Sequence, residues 1–278
     1  MTTTTKQQRG YLMPIGGAED RVEHRTILAQ FVKQAGGSKA HIKVIPSASA
    51  FSHELGPEYV RIFKELGAGS AEFADIQERP QANDPECVAL FNDATGIFFS
   101  GGDQLKLVAL LGGTPLLETM KVRFAAGAAV AGTSAGASAL SEHMISFGRS
   151  GPSPSMRMVA MGRGLGFTDK CVLDQHFRER DRIGRLVSAV TQNPEMLGVG
   201  IDEDTAFIIA PDDTCEVIGR GSVSIVDGGH INYTDMYDVT RYNEFSVFGV
   251  RMHFLTREHA FDLKTRTPIA PKRHKVMP

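Results

Sequence analysis

Short, almost wholly apolar runs alternate with amphipathic stretches along the first half of the chain, and this alternation limits the fold more than any other feature. Runs such as residues 97–100 and 128–131 are typical of strands that are buried on both faces of a parallel sheet. The amphipathic stretches between the runs predict helices that connect successive strands and cover the sheet. The sequence therefore predicts an α/β fold.

The predicted architecture is a three-layer α/β/α sandwich with a mostly parallel sheet. In the first half, strands are expected at residues 11–15, 41–45, 71–76, 97–100 and 128–131, and helices at residues 22–35, 58–66, 105–111 and 116–125. Asn83 followed by Pro85 indicates a capped helix start that leads into residues 87–92.

The second half has a different pattern. We expect a long loop at residues 149–163, a helix at residues 182–191, and strands at residues 171–173, 199–201, 206–209, 215–218 and 222–226. Because these late strands are clustered, they predict antiparallel additions to the edge of the sheet.

A chain of 278 residues with 42% hydrophobic residues can bury a full core, and the sequence contains no repeat and no linker. We expect one catalytic domain over residues 9–278. A disordered polar tail over residues 1–8 would precede it, and residues 264–278 would form a solvated end.

Charge and composition exclude several classes of function. The formal net charge of -2 gives no broad basic field, so neither nucleic acid nor an anionic membrane is an expected partner. No apolar segment approaches the roughly 20 residues of a membrane span, which favours a cytoplasmic location. The three cysteines lie far apart and suit a reducing compartment, and the histidines show no paired spacing. We therefore expect neither a metal nor a cofactor.

The strongest chemical motif is the segment Gly132-Thr133-Ser134-Ala135-Gly136, which matches Gly-x-Ser-x-Gly directly after a predicted strand. A serine on such a strand-to-helix turn is held in a strained conformation that exposes its hydroxyl. A plain packing turn could carry the same residues, but the strand before and the helix after favour a nucleophile at Ser134. The Ala135 N–H, at the start of the helix, is the first expected oxyanion donor.

A second oxyanion donor is expected from another strand end. The segment Ser100-Gly101-Gly102-Asp103 follows a buried strand, and its glycines allow the backbone to approach a ligand closely. An ordinary turn explains this segment almost as well. It explains Gly16-Gly17 better still, since that pair lacks the Gly-x-Gly-x-x-Gly pattern of a dinucleotide site.

A serine nucleophile needs a base within hydrogen-bonding reach and an acid that orients the base. His176 is the best candidate base because it follows a predicted strand, at the edge where α/β sheets place active sites. Glu203 follows another such strand, but Asp202 and Asp204 are its neighbours, and spacing does not choose among the three carboxylates.

Chain order separates two classes of serine hydrolase. The order Ser, His, acid differs from the Ser, acid, His order of the α/β-hydrolases. The hydrolase order would require Asp202 to act with His230, His253 or His259. His253 lies in an apolar run, which favours a structural role for it.

Four segments resemble, in order, the cyanophycinases, a family related to dipeptidase E. They are Gly101-Gly102-Asp103-Gln104, Gly132-Thr133-Ser134-Ala135-Gly136-Ala137, Asp174-Gln175-His176-Phe177 with the arginines that follow, and Gly200-Ile201-Asp202-Glu203. The resemblance implies the fold of class I glutamine amidotransferases, a homodimer, and a catalytic triad of Ser134, His176 and Glu203. Oxyanion donors are then expected at Gly102 and Ala135.

The resemblance also implies a substrate. Cyanophycin is a poly-aspartate chain with an arginine joined to each side-chain carboxyl, and the family releases β-aspartyl-arginine dipeptides from it. The family's substrate pocket corresponds to Gln104, Asp174, Gln175, Arg180, Arg182 and Arg185. Asp181 stands where family members often have glycine. A dipeptidase E-like aspartyl peptidase and a non-catalytic protein that binds acidic peptides are the alternative interpretations.

Charge complementarity suggests roles for some of these residues. Asp103 and Asp174 are candidate partners for a substrate guanidinium group. Arg178, Arg182 and Arg185 would share one face of a helix, from which guanidinium groups could bind carboxylates.

Overall fold

The computed structural model describes residues 8–240 and 242–269 of the chain. The strands are β1 (Leu12–Ile15), β2 (His41–Ile45), β3 (Ser70–Phe73), β4 (Gly96–Phe99), β5 (Ala129–Thr133), β6 (His143–Gly148), β7 (Val159–Arg163), β8 (Cys171–Gln175), β9 (Leu197–Ile201), β10 (Thr205–Ile209), β11 (Thr214–Gly219), β12 (Val223–Asp227), β13 (Tyr233–Thr234), β14 (Val247–Phe248), β15 (Arg251–Leu255), β16 (Ala260–Asp262) and β17 (Thr267–Ile269). The α-helices are α1 (Thr26–Gln34), α2 (Ser52–Glu65), α3 (Pro85–Ala89), α4 (Gln104–Leu111), α5 (Pro115–Ala125), α6 (Ala135–Ala139) and α7 (Ile183–Gln192). Short 3-10 helices lie at Gly37–Lys39 and Arg79–Asn83.

A nine-stranded sheet lies at the centre, in the order β17-β16-β11-β10-β1-β5-β4-β2-β3. The five strands from β1 to β3 run parallel to one another. From the β1 edge, β10, β11, β16 and β17 continue the sheet in antiparallel pairs. The predicted parallel sheet with antiparallel additions is thus confirmed. The carboxyl ends of β1, β4 and β5 lie side by side at one edge of the sheet.

Two layers of helices cover the faces of this sheet. In β4, Phe98 packs against Phe31 of α1 and Tyr59 of α2, with ring centroids 5.6 and 4.6 Å away. The neighbouring residues Ile97 and Phe99 lie in the opposite apolar cluster, together with buried leucines of α4 and α5. Successive side chains of a strand point to opposite faces, so the one apolar run in β4 packs against both helix layers. The predicted three-layer architecture is confirmed.

A second sheet, of four strands in the order β15-β12-β9-β8, packs against the same face of the central sheet as α4 and α5. Leu173 of β8 lies in the cluster shared with the central sheet, whereas Val172 packs with Leu186 of α7 on the other side. The prediction that all late strands extend the edge of the first sheet is wrong for β8, β9 and β12. Their apolar runs indicate burial on both faces but do not specify which sheet they join.

The first helix begins later than predicted. Residues 22–25 wrap around the side chain of Asp20, whose Oδ1 accepts the N–H groups of Val22 and Glu23 and whose Oδ2 accepts those of His24 and Arg25. These bonds, with that from Glu23 strongest, hold the pKa of the Asp20 carboxyl well below its usual range. The helix itself starts at Thr26.

Three other boundaries also differ from the predictions. Helix α2 starts at Ser52 and contains Pro57 near its start, although the sequence predicted its beginning after this proline. Asp84, and not Asn83, caps α3, because its side chain accepts the Glu86 N–H. The loop predicted at residues 149–163 is shorter, since Val159–Arg163 pairs with β6 as strand β7.

The sequence predicts a disordered tail at residues 1–8 and a solvated end at residues 264–278. Of the predicted tail at residues 1–8, Gln8 alone falls within the described residues, where it is exposed and has no regular structure. At the other end, Thr267–Ile269 forms strand β17 beside β16, and most of residues 264–269 are exposed, in line with the predicted solvated end. Residues 270–278 lie outside the description. No helix in the described part of the chain is long and apolar enough to cross a membrane.

Candidate active site

Ser134 occupies a sharp turn between β5 and α6. Its backbone dihedrals, φ 53° and ψ −116°, lie in a region that non-glycine residues rarely adopt. A Cβ at Gly132 would come within 2.5 Å of the Gly136 oxygen, and one at Gly136 would come equally close to the Phe99 oxygen. The two glycines are therefore a steric condition for this turn, which leaves the Ser134 side chain half-buried at the sheet edge.

A hydrogen-bonded chain joins three side chains from different strand ends. The Ser134 Oγ lies 2.8 Å from His176 Nε2, and His176 Nδ1 lies 2.6 Å from Glu203 Oε1. His176 follows β8 of the second sheet, and Glu203 lies in the turn that leads from β9 to β10 of the central sheet. The arrangement can move a proton from the serine hydroxyl to the imidazole while the carboxylate stabilises the imidazolium.

The two neighbours of Glu203 make structural contacts. Asp202 is buried, and its Oδ2 accepts both the N–H and the hydroxyl of Ser222 at 2.9 and 2.8 Å. Asp204 Oδ1 accepts the Asp20 N–H at 2.9 Å. Of the three adjacent carboxylates, Glu203 is therefore the one bonded to His176.

The other histidines considered in the sequence lie away from this chain of bonds. His253 is half-buried in β15, with its ring 5.5 Å from the ring of Phe261. His230 and His259 are exposed. Neither Ser134 nor Glu203 forms a hydrogen bond with any of these three rings.

Burial lowers the pKa of His176 below its ordinary value of 6.5. The bond from Glu203 acts in the opposite direction, and the positive charges of Arg180 and Arg182 lower the pKa further. The imidazole is consequently neutral at physiological pH, which is the form that can accept a proton from Ser134.

The turn that contains Gly101 and Gly102 runs close to Ser134. A Cβ built on Gly101 would lie 3.7 Å from Ser134 Oγ, so this turn runs beside the hydroxyl. Gly102 has a φ of 143°, and a Cβ there would come within 2.0 Å of the Ala48 oxygen. The N–H groups of Gly102 and Ala135 donate to no acceptor among the described residues.

A buried ion-pair cluster adjoins the triad. Asp174 is fully buried and accepts two bonds from Arg185, one of them 2.6 Å from Nε to Oδ2. Arg182 lies 3.5 Å from the same carboxylate, and burial lowers the pKa of Arg182 to about 10. The sequence suggests Asp174 as a partner for a substrate guanidinium, but in the structure its carboxylate is already paired. It holds two arginines of its own chain, and one positive charge remains in excess.

The arginines do not share one helix face, because α7 begins only at Ile183. Arg178 and Arg180 are exposed in the turn before the helix, whereas Arg182 and Arg185 are buried. No ion pair or hydrogen bond of the Arg180 guanidinium is found among the described residues. It is therefore a free cation close to His176.

The remaining predicted pocket residues have mixed roles. Gln104 donates its amide to the carbonyls of Ile145 and Ser146 at 3.3 and 3.0 Å, which ties α4 to β6. Asp103 caps α4 through Oδ1 alone, at 2.8 Å from the Leu105 nitrogen. Gln175 is buried, and its Oε1 has no hydrogen-bond partner among the described residues. In the same way, the buried Nε of Arg182 has none.

Asp181 has a backbone conformation that suits glycine, the residue that the resemblance implies at this position. Its φ is 48°, in the left-handed region that favours glycine and that aspartate tolerates better than most residues. Its carbonyl accepts the Gly151 N–H at 2.7 Å, and its side chain is exposed. The left-handed backbone of the arginine turn is therefore formed with aspartate at this position.

Sequence reasoning missed the part played by Gly16 and Gly17. The carbonyls of Ile15, Gly16 and Gly17 accept, in turn, the N–H groups of Ser134, His176 and Asp204 at 3.0, 2.8 and 2.9 Å. A Cβ on Gly17, whose φ is 97°, would lie 2.4 Å from His176 Cε1. The Gly-Gly pair itself was the available signal, but its neighbours in space come from distant parts of the chain.

Replacement of Gly17 by alanine should displace the imidazole ring. Because a shift of about 1 Å in a reacting group can cost roughly 100-fold in rate, we expect the turnover rate to fall by about 10- to 100-fold. Gly67→Ala is the matched control, since Gly67 also has a positive φ, 88°, but no atom lies within 4 Å of its Cβ position. A Gly17→Ala enzyme that turns over as fast as the wild type would contradict the expectation.

Replacement of Asp174 by asparagine should be strongly destabilising. It keeps the shape of the side chain but leaves buried guanidinium groups without their counter-charge, which typically costs about 3–5 kcal/mol. Urea unfolding would measure the loss. Glu142→Gln, which removes an exposed ion pair with Arg163 at 3.9 Å, should cause no measurable loss. If Asp174→Asn lowers the free energy of unfolding no more than this control does, Asp174 is not the counter-charge on which the buried arginines depend.

The chain is similar to known proteins over most of its length. The profile of peptidase family S51 matches residues 12–218. Cyanophycinase from Nostoc sp. is 41% identical over 98% of this chain and 92% of its own length. Cyanophycinase from Geminocystis herdmanii is 42% identical over 94% of this chain and 97% of its own length.

Two solved structures share the fold. A peptidase from an acI-B1 Actinobacterium has a TM-score of 0.64 at 24% identity, over 80% of this chain and 93% of that one. A putative peptidase E protein from Listeria monocytogenes has a TM-score of 0.50 at 16% identity, over 76% of this chain and 98% of that one. At these identities, the likeness extends to the fold alone.

Proposed function

Because the chain belongs to peptidase family S51, we propose that it is a serine peptidase that degrades cyanophycin and releases β-aspartyl-arginine dipeptides. The observation that carries this proposal is the hydrogen-bonded chain Ser134–His176–Glu203. The relatives that share 41 to 42% of its residues over nearly the whole chain are cyanophycinases, which supports the substrate.

In the proposed mechanism, His176 Nε2 takes the proton of Ser134 as the serine oxygen attacks a carbonyl carbon of the polymer. The N–H groups of Gly102 and Ala135 hold the resulting oxyanion. His176 then gives its proton to the leaving amine, and an acyl-enzyme remains on Ser134. Water attacks this ester, with His176 again acting as base, and the serine is restored. Throughout, Glu203 keeps Nδ1 protonated and orients the ring.

Substrate recognition is proposed to depend on charges of both signs. The free guanidinium of Arg180 and the excess positive charge of the Asp174–Arg182–Arg185 cluster would attract a carboxylate of the polymer. Gln104 and Gln175 would contribute polar contacts, and the unpaired Oε1 of Gln175 supports such a role. The Oδ2 of Asp103, which accepts no bond from the described residues, would face the substrate's guanidinium group.

The decisive experiment incubates the protein with purified cyanophycin and analyses the products by mass spectrometry. Dipeptides of aspartate and arginine are the expected products. Hydrolysis of short aspartyl peptides in their place would identify a dipeptidase E-like enzyme. Binding without products, and without labelling by a fluorophosphonate probe, would indicate a non-catalytic protein that binds acidic peptides.

We further propose that residues 9–278 act as one catalytic domain and that the protein works as a cytoplasmic homodimer. The three cysteines, Cys87, Cys171 and Cys215, are free, which supports a reducing compartment. Sedimentation analysis would test the dimer, and cell fractionation would test the location.

A further inference from the structure

A buried carboxyl group touches the nucleophile turn without belonging to the triad. Glu19 is buried, and its Oε2 accepts a bond of 2.5 Å from the hydroxyl of Thr133, the residue that precedes Ser134. Its Oε1 accepts a bond from the hydroxyl of Tyr59 on α2. Tyr59 in turn packs in the apolar cluster between α2 and the central sheet. The carboxyl group thus connects the turn to a rigid layer of the fold.

Glu19 lies in a segment that forms hydrogen bonds with Ser134, with His176 and with the neighbour of Glu203. We call residues 15–20 the bracing segment. The carbonyls of residues 15, 16 and 17 hold the backbone at Ser134, at His176 and at Asp204, the residue after Glu203. At its other end, the Asp20 N–H donates to Asp204 Oδ1. One short segment therefore spans three strand ends that are distant in sequence.

The Glu19 side chain completes this arrangement. The backbone hydrogen bonds hold the segment against each strand end. The segment itself passes through two residues with positive φ, Gly17 at 97° and Ala18 at 48°. A segment in such a conformation needs tertiary contacts to keep it in place. The hydrogen bond between Glu19 and Thr133 is such a tertiary contact, and it lies directly beside Ser134.

We propose that Glu19 is a positioning residue, which anchors the bracing segment to Thr133 and Tyr59 and thereby sets the Ser134 hydroxyl against His176. It touches neither the substrate nor a reacting atom. Its effect on the reaction is an effect on geometry, so it should appear in kcat and in the reactivity of Ser134 more than in KM. The inference rests on the proposed function of Ser134 as the nucleophile.

The chemistry of the contact predicts which replacements are tolerated. Burial raises the pKa of the Glu19 carboxyl, which favours its neutral form. A neutral amide can keep both contacts with one hydrogen bond reversed, because its oxygen accepts from one hydroxyl and its NH₂ group donates to the other. Glu19→Gln should therefore function, whereas Glu19→Ala leaves two buried hydroxyls without partners.

The test compares two pairs of variants at the two ends of one hydrogen bond. Glu19→Ala and Thr133→Val remove the bond, and Glu19→Gln and Thr133→Ser keep it. The readouts are the rate at which a fluorophosphonate probe labels Ser134, and kcat and KM for dipeptide release from cyanophycin. Loss of the bond should lower kcat and labelling by roughly 10- to 100-fold with a small change in KM, and the conservative pair should stay within about 3-fold of wild type.

A further variant separates positioning from stability. Phe63 lies in the same apolar cluster as Tyr59, with ring centroids 6.0 Å apart, and its other ring contacts are with Phe31 and Phe98. Phe63→Leu should lower the melting temperature and leave kcat unchanged. If Glu19→Ala does not fold, Thr133→Val and Thr133→Ser decide the question alone.

The outcomes that would overturn the inference are distinct from failure of the proposed function. A wild-type protein that is not labelled at Ser134 would end both. If the wild type is labelled, and Glu19→Ala and Thr133→Val are labelled equally fast, the inference about Glu19 is wrong and the proposed function still stands. A Glu19→Gln enzyme as slow as Glu19→Ala would lead to the same conclusion.

Discussion

Alanine in place of Ser134 is expected to reduce the release of dipeptide from cyanophycin by roughly 10⁴-fold or more, because removal of a catalytic serine has effects of this size in serine peptidases. The turn should keep its shape, since alanine is smaller than serine and the flanking glycines remain. Binding of the polymer should persist, because the arginine cluster is untouched.

The measurement is the rate of dipeptide formation at saturating cyanophycin, with circular dichroism to show that the variant is folded. Ser138→Ala is a matched control, since Ser138 lies in the same short helix α6 and its side chain makes no hydrogen bond to the described residues. An active Ser134→Ala enzyme would show that another group attacks the substrate.

His176→Ala should be nearly as damaging as Ser134→Ala, because the base and the nucleophile act as a unit and their losses do not add. The double variant should therefore be no slower than either single one. His253→Ala, which removes a half-buried ring from β15, should keep kcat close to that of the wild type. Equal losses for the two histidine variants would contradict the assignment of the base.

The pH profile gives an independent check of the same base. Only neutral imidazole accepts the serine proton, so kcat/KM should fall as pH drops through the pKa of His176. Because burial lowers this pKa, the fall should occur below pH 6.5. Glu203→Gln removes an interaction that raises the pKa, so it should move the fall to still lower pH as well as slow the reaction.

Much of this site could be predicted from the sequence because its signals are local. The turn at Ser134 carries its own glycines, and a buried strand precedes it. His176 likewise follows an apolar strand. The central sheet could be predicted for the same reason, since apolar runs on its parallel strands indicate burial on both faces.

The remaining features depend on contacts between distant residues. The three carboxylates at Asp202, Glu203 and Asp204 look alike in sequence, and only Ser222, His176 and Asp20 in space distinguish them. The sequence does not predict the pairing of Asp174 with Arg182 and Arg185, because a carboxylate near several arginines gives no sign of which charges are buried together. Glu19 gave no signal, since its partner Thr133 is 114 residues away.

The reacting groups are divided between two sheets, and this has a consequence for the newly made protein. Ser134 leaves the ribosome 42 residues before its base, and the base leaves 27 residues before Glu203. A nascent or truncated copy that lacks the second sheet has Ser134 without His176, the base proposed to activate it. On the proposed mechanism, hydrolysis would therefore require both sheets to be in place.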